Sequence, residues 1–107
     1  MRPTLALLPL AAVLSTAAAR FAAPTVVSQK GKQFSADSIV VKPGEAIVFK
    51  NDDDLTHNVF STTPGFSFNL KAQAPGVQTE TSFAQEGTVV VRCAFHPRMK
   101  MTVTVKH

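Results

Sequence analysis

Apolar and polar positions fall into two regimes along this chain. From Leu5 to Leu14 apolar residues run almost unbroken, and Arg2 is the single charge before Arg20. After residue 20 the pattern shortens and alternates. Val77, Thr79, Thr81 and Phe83 interleave with Gln78, Glu80 and Ser82, and Met101, Val103 and Val105 interleave with Thr102, Thr104 and Lys106. A period of two marks a half-buried strand, because successive side chains point to opposite faces. Two compact runs, 38–41 and 46–49, flank Lys42-Pro43-Gly44-Glu45, where Pro followed by Gly fits a type II turn. Residues 57–61 read as a further short strand, and Gln85-Glu86-Gly87 turns the chain into another at 88–92. Nowhere after the opening run do apolar residues recur at three and four, so no helix is expected. About seven to eight short strands separated by turns predict an all-β sandwich of Greek-key type.

The opening run has a different meaning. Arg2, the apolar stretch and then Ala17-Ala18-Ala19 follow the order of a secretory signal peptide with a small-residue cleavage site. Spanning a bilayer takes about 20 apolar residues, more than this run supplies, and Pro3 and Pro9 suit a membrane helix poorly. The expectation is a leader over residues 1–19 and a single domain over 20–107. The chain is then exported to the periplasm, with no membrane span once the leader is removed. Residues 20–24 read as a short flexible N-terminus.

Composition narrows the choice further. The 107 residues suffice for one core. Without the leader the apolar fraction falls from 45% to about 40%, within the globular range. Eleven basic residues against seven acidic ones give a net charge of +4, and they are scattered. Nucleic-acid binding calls for a concentrated basic face and is not expected. A single cysteine excludes an internal disulfide, so the fold rests on packing or on a bound metal.

That cysteine opens the one segment rich in chemistry. Cys93-Ala94-Phe95-His96-Pro97-Arg98-Met99 sets a thiol, an imidazole and a thioether three residues apart. Pro97 disfavours a helix, so the segment reads as a tight loop on which all three side chains converge. His57, at the mouth of its own strand, is placed to supply a fourth donor from the facing sheet. Two imidazoles, a thiolate and a weak axial thioether make up the ligand set of a blue-copper electron-transfer site. A free thiol in an exported protein is a liability unless it is ligated. Other readings stay open on these residues. A cysteine nucleophile with a histidine base is one, although Met99 has no part in acyl transfer. A zinc site of the cysteine, both histidines and Asp54 is another. Met101 alternates with two valines and reads as core. Asp52-Asp53-Asp54 reads as a solvated loop, since three adjacent carboxylates point in different directions.

Cys93-x-x-His96-Pro97-x-Met99, with His57-Asn58 upstream, resembles the cupredoxins, and within them the plastocyanin- and amicyanin-like group; the short spacings around His96 are most similar to amicyanin. The likeness runs from about Gln33 to Lys106 and includes Val41-Lys42-Pro43-Gly44 and Phe49-Lys50-Asn51. The resemblance implies one copper per chain, held by His57, Cys93 and His96 roughly in a plane, with Met99 as the long axial ligand. It implies that Asn58 ties the two ligand-bearing segments together beside the cysteine sulfur. It further implies that His96 emerges through an apolar patch, to which Ala94, Pro97 and Phe66 are the candidate contributors. Arg98 and Lys100 flank the loop and are placed to steer an acidic partner. Thr56 stands where plastocyanins often carry proline. The function expected is not enzymatic: a monomeric carrier of single electrons between redox proteins that dock near His96. A copper-delivery protein without redox turnover uses the same residues and is the alternative.

Overall fold

The computed structural model describes residues 2–4 and 23–107. The leader expected over 1–19 lies outside the described residues apart from positions 2–4. Nine strands follow: β1 (Thr25–Lys30), β2 (Gln33–Phe34), β3 (Ser38–Val41), β4 (Ile47–Asn51), β5 (His57–Ser61), β6 (Phe68–Gln73), β7 (Gln78–Thr81), β8 (Gly87–Arg92) and β9 (Lys100–Val105). They form a four-stranded sheet in the order β2-β1-β4-β7 and a five-stranded sheet in the order β3-β9-β8-β5-β6. β1 pairs with β4 and β3 with β9 in parallel, and the other pairs are antiparallel. The expected all-β sandwich is present, and no helix among the described residues is long and apolar enough to cross a membrane.

Alternation builds the core. Val89 and Val91 of β8, and Met101, Val103 and Val105 of β9, turn inward, opposite Val27 of β1 and Ile47 and Phe49 of β4. Val, Ile and Thr dominate these strands because a branched Cβ packs well on a pleated surface. Phe34 meets Phe49 edge-on, and Phe66 and Phe68 meet Phe83 in the same way. The turn between β3 and β4 has the expected form. Glu45 N–H donates to Lys42 C=O at 3.0 Å, and Gly44 takes φ 79°, which a type II turn demands at its third position.

Not all of the interior is apolar. Gln29, Asn51 and Gln73 are completely buried. Gln29 Nε2 donates to Gln73 Oε1 at 2.8 Å, and Gln73 Nε2 donates to Phe49 C=O at 3.2 Å and to Thr79 Oγ1. Asn51 Nδ2 donates to Leu55 C=O at 2.8 Å and to Gln73 C=O at 2.9 Å. These amides fasten the end of β4, the loop after it and the end of β6 to one another, and β5 starts from that anchor.

Phe49 sits at the centre of β4 with no exposed surface, whereas Val40 of β3 is largely exposed. Phe49→Ala is expected to lower the free energy of unfolding by about 3–5 kcal/mol in chemical denaturation. Val40→Thr should change it by less than about 0.5 kcal/mol.

Candidate metal centre

β5 departs from alternation at its start. His57, Asn58 and Val59 are all buried, which requires cover on both faces. One face meets the core. The other lies under the loop between β8 and β9, which holds Cys93 at one end and Met99 at the other. Cys93 N–H donates to Met99 C=O at 3.3 Å and Met99 N–H to His96 C=O at 2.9 Å, so the loop closes on itself as tightly as its sequence suggests.

This closure draws the donors together. Cys93 and Met99 are each 1% exposed and His57 is 0% exposed. Cys93 Sγ lies 3.9 Å from His57 Nδ1 and accepts the Asn58 backbone N–H at 3.3 Å. The rings of His57 and His96 meet edge-on with centroids 4.9 Å apart, and His96 is half-buried. A sulfur and a nitrogen sharing one metal in a trigonal or tetrahedral arrangement stand about 3.5–3.7 Å apart, from metal–ligand bonds of about 2.3 and 2.0 Å. The Cys93–His57 pair therefore fits a metal with a closing shift of a few tenths of an ångström. Among the described residues, no three His, Cys, Asp or Glu side chains are already gathered into a metal-holding cluster. The sulfur and nitrogen donors thus adjoin without being drawn to one point. Their chemistry suits copper, because thiolate and thioether favour Cu(I) and imidazole accepts Cu(II).

Asn58 links three segments by hydrogen bonds. Its Oδ1 accepts Ala94 N–H at 3.2 Å, and its Nδ2 donates to Asn69 Oδ1 at 2.9 Å and to Lys71 C=O at 3.1 Å. The pairing of β5 with β6 slips between Asn58 and Phe60, and Lys71 takes φ 65° there. This bulge turns the Lys71 carbonyl toward the asparagine. The FNLKAQ segment carries no motif that announces such a role for Asn69 and Lys71.

The structure revises three expectations about neighbouring residues. The Asp52–Asp54 loop is not uniformly solvated. Asp53 is only 11% exposed, and its Oδ2 is hydrogen-bonded to His57 Nε2 at 2.9 Å. That bond, followed by one from Lys32 N–H, holds the Asp53 carboxyl well below the usual carboxylate range. Asp54, the zinc alternative's carboxylate, is exposed. Phe66 does not border His96. It packs on Phe83 and beside Gly87, the end of β8 far from Cys93. The apolar residue beside His96 is Phe95, 54% exposed, which together with Lys32, Gln33, His96, Pro97 and Arg98 lines a shallow hollow. Met101 is buried on β9 opposite Val91, as expected of a core residue.

Residues 22–106 match the family of copper binding proteins described as plastocyanin/azurin. Two curated relatives are methylamine utilization proteins MauL. That of Methylorubrum extorquens is 38% identical over 65 residues, 60% of this chain and 57% of its own. That of Methylophilus methylotrophus is 29% identical over 76 residues, 68% of this chain and 44% of its own. The chain thus spans about half the length of these relatives. Among solved structures, a copper(I) amicyanin variant superposes with TM-score 0.73 at 20% identity, covering 78% of this chain and 82% of that one. A purple cupredoxin from Nitrosopumilus maritimus gives 0.68 at 24% identity, covering 77% and 99%. The copper-containing nitrite reductase of Thermus scotoductus gives 0.73 at 23% identity, covering 79% of this chain and 23% of the reductase.

Removing the Asn58 side chain leaves Ala94 N–H and Lys71 C=O without their partners. Asn58→Ala is expected to destabilise the metal-free domain by about 2–3 kcal/mol in chemical denaturation. Amide hydrogen exchange at Ala94 should accelerate in step, and unchanged exchange there would show that the loop is held by other means.

Proposed function

We propose that this chain, which belongs to the plastocyanin/azurin family of copper-binding proteins, is an exported electron carrier with a single type 1 copper centre. In this reading His57, Cys93 and His96 would hold the copper as strong donors, and Met99 would be a weak one. The supporting observation is the buried approach of Cys93 Sγ to His57 Nδ1 at 3.9 Å, under a loop that also buries Met99. Copper, when bound, supplies a centre that takes up and releases one electron.

The chain's residues do the remaining work. Cys93 and His57 are shut away from water, and Asn58 pins the sulfur-bearing loop to β5. Donors fixed by a packed sandwich change position little when the charge of their guest changes. His96 is half-buried beside exposed Phe95 and offers an apolar point of contact where electrons enter and leave. Lys32, Arg98 and Lys100 form a basic rim suited to an acidic redox partner, which they would steer at low salt. Export by the residue 1–19 leader places the domain, residues 20–107, in the periplasm, where a lone thiol benefits from being ligated.

Two other readings are weaker. A cysteine nucleophile needs a partly exposed, electropositive setting, and Cys93 is 1% exposed. A copper-delivery protein would share the ligands yet release its metal to an acceptor, whereas an electron carrier retains it.

Adding Cu(II) to the protein lacking residues 1–19 should give an intense blue thiolate-to-copper absorption band. Cys93→Ala and His57→Ala are each expected to abolish it. Met99→Leu should keep the band and raise the reduction potential, because the axial donor tunes it. A colourless wild-type product would overturn the copper reading, and a band that survives Cys93→Ala would falsify the assignment of the cysteine.

A further inference from the structure

We propose that Asp53 is a positioning residue for His57, fixing the imidazole tautomer so that Nδ1 presents its lone pair to the Cys93 sulfur. The step to copper rests on the ligand role given to His57 above, and the step to the tautomer does not.

The geometry leaves His57 little freedom. Its ring is fully buried, with Nε2 at 2.9 Å from Asp53 Oδ2 and Nδ1 facing Cys93 Sγ at 3.9 Å. An ionised carboxylate has no proton to donate, so a neutral imidazole must put its own on Nε2 to make this bond. Nδ1 is then the unprotonated nitrogen, and it points at the thiol.

The carboxylate is held from several sides. Oδ2 also accepts Lys32 N–H at 3.1 Å, and Oδ1 accepts Asp54 N–H at 3.1 Å. Asp53 N–H donates to Oδ1 of buried Asn51 at 3.0 Å. The Lys32 contact depends on the hairpin between β1 and β2, where Gly31 and Lys32 have φ of 60° and 56°. Two successive positive φ angles are the mark of a type I′ turn, and here the turn carries Lys32 N–H to the aspartate. Lysine seldom adopts this conformation, so the local sequence accepts a cost for the contact. The hairpin of one sheet is thus linked through Asp53 to the first residue of β5 in the other.

A carboxylate behind an imidazole ligand donates electron density and favours the more highly charged metal state. Losing it should weaken Cu(II) binding relative to Cu(I) by about tenfold, the lower end of the usual effect of such groups. For one electron, tenfold corresponds to about 59 mV toward higher potential.

The test compares wild type, Asp53→Asn and Asp53→Ala by two readouts. Imidazole 15N chemical shifts of the metal-free proteins report the His57 tautomer. Redox titration of the copper-loaded proteins reports the potential, and thermal melts check that each variant folds. Wild-type His57 is expected to be protonated on Nε2 alone. Asp53→Ala should mix the tautomers and raise the potential by the stated amount. Asp53→Asn, which keeps an acceptor oxygen without the charge, should retain the tautomer and give a smaller rise. If Asp53→Ala fails to fold, the asparagine variant and the wild-type tautomer decide. A wild-type proton on Nδ1, or blue variants with unchanged potential, overturns the proposal. A wild type that never turns blue defeats the copper reading instead, and the tautomer of metal-free His57 still decides whether Asp53 positions the ring.

Discussion

The whole site hangs on one buried amide. Asn58 sits second on β5 and joins three segments: its own strand, the β6 bulge at Lys71 and the Cys93 loop at Ala94. Its backbone N–H reaches the Cys93 sulfur. Asn58 itself is buried, so its amide has no water to fall back on, and leaving it unpaired would cost about 1–3 kcal/mol. The penalty acts against every rearrangement that separates the loop from the sheet. A neighbouring valine or threonine would fill the space without imposing direction, and the asparagine imposes it through one acceptor and two donors.

Polar burial repeats below this point with the same logic. Gln29, Asn51 and Gln73 lie between the sheets, where Val or Leu would pack as well by volume. Hydrophobic packing tolerates sliding, while paired amides accept only one register. Asn51 in particular ties β4 to the Leu55 and Gln73 carbonyls, and through its Oδ1 to Asp53. The loop that delivers Asp53 and His57 is thus located by hydrogen bonds on both sides. This chain has no disulfide to do so, since its one cysteine is free and buried within the site.

The parts that could be read from the sequence are those where identity and spacing carry the information. Pro43-Gly44 specifies its turn because only certain φ angles are open to those residues. Cys93, His96 and Met99 stand out because rare side chains recur at short intervals around Pro97. Strand β1 is harder to see: the TVVSQK segment buries Val27 and Gln29, and a buried glutamine looks like a surface residue. β6 hides likewise, with a bulge that breaks its alternation. Asp53 was concealed by its neighbours, for three consecutive aspartates look alike until the fold turns one toward His57. Phe66 and Phe95 are chemically equal, and only the strand directions tell that one lies beside Gly87 and the other beside His96.

These contacts divide the site into a fixed half and an accessible half. His57 is boxed in by Asp53, Asn58 and Cys93 and has no exposed surface, whereas His96 stands half-buried on a loop whose tip, Ala94–Arg98 apart from His96, is exposed. A carrier of electrons needs both properties at once. Its ligands must barely move when charge changes, and one of them must come near a partner. Had both histidines been boxed in, the centre would be insulated; had both been exposed, water would enter and the geometry would relax. Under the proposed function, the sandwich would meet both needs by taking one histidine ligand from a strand and the other from a loop. The basic residues Lys32 and Arg98 gather at the loop end, beside the hollow that Phe95 and His96 line. In the proposed carrier, the charge that would steer a partner and the surface that would pass the electron share one end of the molecule, and the amide network lies behind it.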